Sequence, residues 1–479
     1  MLSLRKIGSN AASLLTSDVL NRTTTFVLYT LVARYLGARE FGQLSLALAL
    51  FYMFQVLAVA GLKVHITRQV AKDRTHTGAY LIHGCAAVAA SSFCSMCALY
   101  GFVHWMRYSS STSAIILTLS LALFPYALSA VFESIFQGWE RMRYIPLVNT
   151  SVNVAKIACA VWLLLKGQGL YAVVLTILGS VTAIAGIEGL ILLRQFPTRG
   201  SRFDVHFCLS LIRSGSTFLG MDGILAVLSS LNIILLSKVA SETQVGLYNA
   251  ASQLMTPLPL VYQNIALSMF PLMCQTVENG FRSLRPLVEG AIEALLVVAL
   301  PTVAGLFFVG DWVLSVLYKN PAFLQAFPAL RIMEWILVSQ VFTSILGWAL
   351  MASHREKINL TIIMVDGLLN LLVGWPLISR FGLTGAALTV LITRTVDLIQ
   401  HYVFVSRLLS GISLWKVTWK PLAAAICMAA YLAVAPGRVG ILTCVSAALI
   451  YGAALLALAI WSSGGPREFK LRYLPLMSK

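Results

Sequence analysis

Long apolar runs, separated by short polar stretches, fill almost the whole chain. Most of these runs are about 20 residues or longer, which is enough for a helix to cross a hydrocarbon core of about 30 Å. The pattern predicts an all-α polytopic membrane protein with about fourteen transmembrane helices. We place these spans at residues 11–36, 42–62, 80–103, 114–136, 145–165, 169–193, 209–236, 245–273, 291–317, 327–352, 358–378, 382–408, 421–436 and 439–461.

The first six spans resemble the next six at two fixed offsets. The informative matches are Asp18 with Asp222, Arg34 with Lys238 and Gly42 with Gly246 at an offset of 204, and Gly169 with Gly382 at 213. Six is an even number of spans, so both halves run through the membrane in the same direction. The repeat therefore predicts two six-helix halves related by a pseudo-two-fold axis along the membrane normal. We expect an N-terminal half at 1–200, a C-terminal half at 201–410, and two additional helices with a cytoplasmic tail at 411–479.

Composition supports a membrane protein, and the placement of its cations predicts the orientation. The chain is 58% hydrophobic and 11% charged, whereas soluble proteins carry about 25% charged residues. Of the Lys and Arg residues, 22 lie at the termini or in the loops after even-numbered spans, and 7 lie in the loops after odd-numbered spans. By the positive-inside rule both termini are cytoplasmic. The net charge of +17 thus follows topology and does not indicate nucleic-acid binding.

Charged residues inside the predicted spans are the candidates for function, because an ionised group in lipid is costly and normally faces protein or water. Arg22, Lys156 and Arg394 lie near the middle of their spans and are the candidate substrate-binding cations. The possible coupling or pairing carboxylates are Asp18, Asp222, Asp366 and Asp397. Asp18 with Arg22, and Arg394 with Asp397, have helical spacing and could equally be structural ion pairs. The histidines lie mostly in loops or at span ends, and we expect no metal site and no cofactor.

Several function classes lack their motifs. The chain contains no G-x-x-x-x-G-K-[ST], no D-x-D, no G-x-S-x-G and no H-E-x-x-H sequence, so we expect no ATPase, glycosyltransferase or hydrolase activity. A membrane-embedded glycan polymerase or ligase would need a long outer loop, whereas the predicted outer connections are about ten residues. A secondary carrier, and not an enzyme, is the interpretation that remains.

Three stretches resemble bacterial polysaccharide-export flippases of the multidrug/oligosaccharidyl-lipid/polysaccharide exporter superfamily. They are R-Y-L-G-A-R-E-F-G-Q-L-S-L-A-L-A-L followed by G-L-K-V-H-I-T-R-Q-V-A-K-D (34–50 and 61–73), G-W-E-R-M-R-Y (138–144) and G-L-x-G-A-A-L (382–388). The resemblance implies translocation of a polyprenyl-pyrophosphate-linked oligosaccharide across the bacterial cytoplasmic membrane by alternating access. It also implies a cationic cavity that binds the pyrophosphate. Arg22, Lys156 and Arg394 are this chain's candidates for its cations, because each lies near the middle of its predicted span.

The resemblance implies partners as well: a lipid-linked glycan substrate, the bilayer, a glycan polymerase and other export machinery. A cation-coupled multidrug antiporter of the same superfamily is the alternative. Such an antiporter would favour membrane-embedded acids over bases, and this chain has both.

Overall fold

A computed structural model describes residues 4–196, 203–435 and 440–463, without the side chains of 4–22, 216–218 and 221–222. This described part of the chain is built of helices and contains no strand. Its α-helices are α1 (Leu4–Val59), α2 (Leu62–Lys72), α3 (Thr77–Met106), α4 (Ser110–Ser120), α5 (Leu123–Gly138), α6 (Tyr144–Leu165), α7 (Leu170–Gln195), α8 (Val205–Val239), α9 (Glu242–Met255), α10 (Pro257–Glu278), α11 (Leu284–Tyr318), α12 (Phe327–Met333), α13 (Ile336–Ala352), α14 (Glu356–Leu408), α15 (Leu414–Val434) and α16 (Ile441–Ser462).

Every predicted span coincides with one of these helices or with a pair of them. Within the described residues, nine helices are long and apolar enough to cross a membrane, or ten if the pair Pro321–Met333 and Ile336–Ala352, bent by 44°, is one span. Two long helices each hold two predicted spans, separated by a glycine with positive φ: Gly37 (φ 86°) in α1 and Gly382 (φ 52°) in α14. Glycine adopts this backbone without the Cβ clash that other residues meet. The multi-pass helical architecture is confirmed, and the number fourteen stays a prediction.

Helix breaks recur at the repeat offset. The break between α4 and α5 falls at Leu121 and Ala122, and the break between α12 and α13 falls at Glu334 and Trp335, which is 213 residues later. The predicted repeat thus extends to the places where helices are interrupted. The two-fold relation between the halves remains a prediction.

Contacts divide the chain into two compact units, 1–246 and 247–479. The first unit contains α8, which packs against α1, α2 and α3 although the repeat assigns it to the second half. Buried Ser230 of α8 donates a hydrogen bond to the carbonyl of Ala49 in α1, at 3.1 Å. The halves predicted from the repeat, 1–200 and 201–410, therefore differ from the units defined by packing.

The second unit has an apolar core shared by α10, α11, α13, α14, α15 and α16. Tyr262, Leu296 and Ile345 are fully buried in it. The last two helices join this core through α11, where the Tyr451 hydroxyl donates to the carbonyl of Val297 at 2.8 Å. The predicted additional helices thus form part of the second unit.

Candidate functional site

Three of the seven predicted site residues lie outside the described side chains. These are Asp18, Arg22 and Asp222. Their roles, and the alternative that Asp18 pairs with Arg22, stay predictions. The other four residues divide between the two units, because Lys156 lies in the first and Asp366, Arg394 and Asp397 lie in the second.

Lys156 is a half-buried cation on α6, a helix whose sequence carries no acidic residue. Its ammonium donates to the Asn153 side-chain oxygen on the same helix, at 2.6 Å. Among the described side chains no carboxylate lies within ion-pair distance of it. A neutral amide cannot cancel the charge of an ammonium group, so Lys156 has no counter-charge among the described side chains.

Arg394 belongs to a polar cluster between the segments of α14 that precede and follow Gly382. Its Nη1 lies 3.2 Å from Oδ2 of Asp397, whose side chain is 7% exposed, whereas the Arg394 side chain is 43% exposed. The other carboxylate oxygen of Asp397 lies 2.7 Å from Nδ1 of His401, whose Nε2 contacts the side-chain oxygen of Asn359 at 3.0 Å. The carboxylate therefore anchors one side of Arg394, and much of the guanidinium stays accessible.

Asp366 lies in the segment of α14 before Gly382 and belongs to the same cluster. Its Oδ1 accepts a hydrogen bond from Gln400 at 3.0 Å. One turn further on, Asn370 donates to Thr393 at 3.4 Å, and the Asn370 side-chain oxygen is buried without a partner. The structure thus brings together Asp366, Arg394 and Asp397, which the sequence only places in neighbouring spans.

A second polar cluster lies inside the first unit, between α2, α5, α6 and α7. Lys63 forms an ion pair with Oε2 of Glu133 at 2.8 Å, and Asn149 donates to Oε1 of the same carboxylate at 3.2 Å. Ser129, one turn before Glu133, donates to the fully buried Glu188. A cavity of about 200 Å³ adjoins the cluster and is lined by Gln55, Val56, Val59, Gly61, Lys63, Val64, Tyr126, Ser129, Ala130 and Glu133.

A third cluster surrounds Glu242, where the connections after predicted spans 1, 3 and 7 meet. The predicted topology puts these connections outside, and we therefore call the cluster the outer seam. The Glu242 carboxylate accepts hydrogen bonds from Arg39 at 3.0 Å, Gln43 at 3.1 Å, Ser109 at 2.8 Å, and Thr112. Burial opposes ionisation, but the hydrogen bonds from Thr112, Ser109, Arg39 and Gln43 outweigh it and lower the pKa of Glu242 to about 2. The carboxylate is therefore ionised at every physiological pH.

Glycines allow the backbones of the outer seam to touch. A Cβ atom on Gly42 would lie 1.8 Å from the carbonyl oxygen of Glu242, and one on Gly246 would lie 2.0 Å from that of Ala38. Because such distances are far below van der Waals contact, no larger residue fits either position without a backbone shift. The Gly42–Gly246 match of the sequence repeat is thus a direct contact in the structure.

The sequence did not indicate the pairing of Lys63 with Glu133 or the role of Glu242. Lys63 follows the second predicted span directly and counts there as a loop cation. Glu242 has no acidic counterpart in the repeat, since the offset of 204 aligns it with Ala38. The available signal was an acidic residue in a short connection whose one other charged residue is Lys238.

Comparison with known proteins gives concordant matches. The family model described as "Polysaccharide biosynthesis protein" matches residues 7–277. A "Putative O-antigen transporter" of Shigella dysenteriae is 23% identical over 381 residues, covering 78% of this chain and 93% of that protein. The "Probable low-salt glycan biosynthesis flippase Agl15" of Haloferax volcanii is 21% identical, covering 84% of each chain. Among solved structures, "Lipid II flippase MurJ, inward closed conformation" superposes with a TM-score of 0.76 at 13% identity, covering 98% of this chain and 99% of that one.

Proposed function

Because the chain belongs to the polysaccharide biosynthesis family, the polysaccharide flippases of the multidrug/oligosaccharidyl-lipid/polysaccharide exporter superfamily, we propose that its cargo is a polyprenyl-pyrophosphate-linked oligosaccharide. The protein moves this cargo from the cytoplasmic to the outer leaflet of the bacterial cytoplasmic membrane. Both of its termini face the cytoplasm.

The observation that carries this proposal is the presence of accessible cations inside apolar helices. Lys156 has only an amide as its described partner, and Arg394 is tied by one of its nitrogens to Asp397. A pyrophosphate cannot cross hydrocarbon unaided, and such cations replace the water that it gives up, the guanidinium with paired donors. The polyprenyl tail stays in lipid during the transfer. Arg22 is the third proposed member of this binding site.

Alternating access is the proposed route, with the outer seam as the contact that must open to release cargo outward. The seam joins α1 to α9, which the repeat assigns to opposite halves, through the hydrogen bonds of Glu242. The two six-helix halves of the repeat are then the bodies that rock against each other. The proposed partners are a glycan polymerase and other export machinery, which would accept the cargo at the outer surface.

A cation-coupled multidrug antiporter is the alternative, and the embedded carboxylates Asp366 and Glu188 favour it. Deletion of the gene separates the two functions. Loss of a flippase leaves lipid-linked oligosaccharide in the inner leaflet and removes surface glycan, whereas loss of an antiporter raises drug sensitivity with surface glycan intact.

The proposed binding site is tested by Arg22→Ala, Lys156→Ala and Arg394→Ala, measuring membrane abundance and surface glycan in the same cells. Normal abundance with lost glycan supports substrate binding. If abundance falls and neutralising Asp18 or Asp397 restores it, the affected arginine is a structural partner. Lys357→Ala, at the exposed start of α14, is the matched control and should leave both quantities unchanged.

A further inference from the structure

We propose that Glu188 binds the proton whose movement is coupled to transport, and that it exchanges this proton through the cavity beside Ser129. The proposal names the coupling ion and therefore rests on the proposed carrier function. It concerns a carboxyl group that the substrate site does not use.

Glu188 is the one acidic residue of α7, and it is fully enclosed. Its residue exposure is 0%, its Oε2 accepts the hydrogen bond of Ser129, and its Oε1 is buried and has no partner among the described residues. An ionised carboxylate in such a place would cost several kcal/mol, because one hydroxyl cannot replace its hydration. A proton on the carboxyl removes the charge, so this conformation holds Glu188 in its neutral form.

The neighbouring charges favour the same state. The Glu133 carboxylate on α5 repels a negative charge on Glu188, and the Lys63 ammonium on α2 attracts it. That ammonium already forms an ion pair with Glu133. On the other helices that pack against α7, α4 has no titratable side chain, Lys156 of α6 donates to Asn153, and Glu40 of α1 accepts from the backbone of Leu170 at the opposite end of α7. The described surroundings thus leave Glu188 without a cation of its own.

The site has the side chains of a proton carrier and not those of a divalent metal site. A divalent ion is usually held by several charged or imidazole ligands around one point. Among the described residues no group of three or more His, Cys, Asp or Glu side chains is placed to hold a metal ion. One buried carboxyl group with a single hydroxyl donor is the arrangement of a proton carrier.

The cavity beside Ser129 supplies the exchange route. Ser129 lines this cavity of about 200 Å³ together with Gln55 and Glu133, and the buried Oε1 of Gln55 has no hydrogen-bond partner in the described part of the chain. Water in the cavity can accept the proton, which leaves a carboxylate on Glu188. If α2 moves so that the Lys63 ammonium turns from Glu133 to Glu188, the new charge is neutralised. Loss of the proton thereby becomes linked to a rearrangement of α2.

The test uses infrared difference spectra of the purified full-length protein in lipid nanodiscs, recorded between low and high pH. Only a protonated carboxyl group shows the free-acid C=O stretch. We expect a band that disappears at high pH, shifts in D₂O and is absent from Glu188→Gln. The matched control is Glu278→Gln, at the exposed end of α10, which should keep the band. A spectrum of Glu188→Gln identical to that of the native protein would overturn the proposal, as would a band that neither titrates nor exchanges.

A second variant covers the case in which Glu188→Gln does not fold. Ser129→Ala removes the hydrogen bond to the carboxyl group, so the band should persist at a shifted frequency, and an unshifted band would refute the assignment. These spectra require no glycan, so they stand apart from the carrier function. In cells, Glu188→Gln should lose surface glycan at unchanged abundance. The spectral result without that loss would contradict the coupling role while retaining the proton site.

Discussion

Replacing Glu242 by alanine should open the outer seam. The carboxylate accepts four hydrogen bonds, of which those from Thr112 and Gln43 are part-buried, while the bond from Ser109 is exposed and Arg39 is 70% exposed. An exposed ion pair contributes about 0–1 kcal/mol, and a hydrogen bond to a charged group contributes about 1.5–3 kcal/mol. Because water replaces part of these bonds in Glu242→Ala, we expect the closed seam to lose about 2–5 kcal/mol of stability relative to the open state. Two kcal/mol is a factor of about 30 in its opening equilibrium.

The assay reports access from outside through a single cysteine. Ser230→Cys, in a background with the eight native cysteines replaced, places a thiol at a buried position between α8 and α1. In intact cells an impermeant thiol reagent should label it slowly, and Glu242→Ala should raise the rate by about 10-fold or more. The matched control is Asp311→Ala, an exposed carboxyl group on α11.

The same assay has a defined dependence on pH. The folded pKa of Glu242, about 2, is below the ordinary value of 4.5. Its stabilisation is therefore fully present above pH 4.5 and is lost as the pH falls toward 2. Labelling between pH 5 and 8 should not vary through this group. A rate equal to that of the native seam in Glu242→Ala would refute our reasoning, because the carboxylate would then not hold the contact.

Three further results are expected. Gly246→Ala should raise outside labelling of the same cysteine, because overpacking costs about 1–3 kcal/mol, whereas Gly220→Ala, with no described atom within 4 Å of its Cβ position, should not; equal rates would exclude the close contact. Asp397→Asn should lower membrane abundance, because this buried carboxylate contacts both Arg394 and His401, whereas Arg394→Gln alone should leave abundance unchanged; an equal loss in both variants would show that Arg394 is only a structural partner. Arg143→Cys should stay unlabelled by the impermeant reagent in intact cells, and labelling would reverse the predicted topology.

The helical layout could be predicted from the sequence because bilayer thickness fixes the length of an apolar run. The turn at Gly37 separates two predicted spans for this reason, and Gly382 does so in the second half. The break after Ser120 has a signal in the sequence, because Pro125 lacks the N–H group that would bond the carbonyl of Leu121 four residues earlier. Packing of α8 into the first unit was not foreseen, because sequence similarity defines a repeat but does not show which helices touch.

The contacts within the candidate sites were also only partly predictable from the sequence. The helical spacing of Arg394 and Asp397 indicated a possible pair, and the structure shows their contact. Lys63 and Glu133 are 70 residues apart, and no periodicity connects them. The enclosure of Glu188 depends on helices from distant parts of the chain, and the sequence alone does not show which acidic residues those helices bury.

The central claim is tested most directly by translocation in proteoliposomes. The purified protein would be reconstituted with a fluorescent polyprenyl-pyrophosphate oligosaccharide, and a membrane-impermeant glycosidase outside the vesicles would measure how much of the glycan reaches the outer leaflet. We predict that, beyond the fraction initially exposed, cleavage continues to near completion with the native protein and stops at that fraction in protein-free vesicles and with the Lys156→Ala and Arg394→Ala double variant. Equal cleavage with the native protein and in protein-free vesicles would contradict the assignment of a lipid-linked oligosaccharide as the cargo.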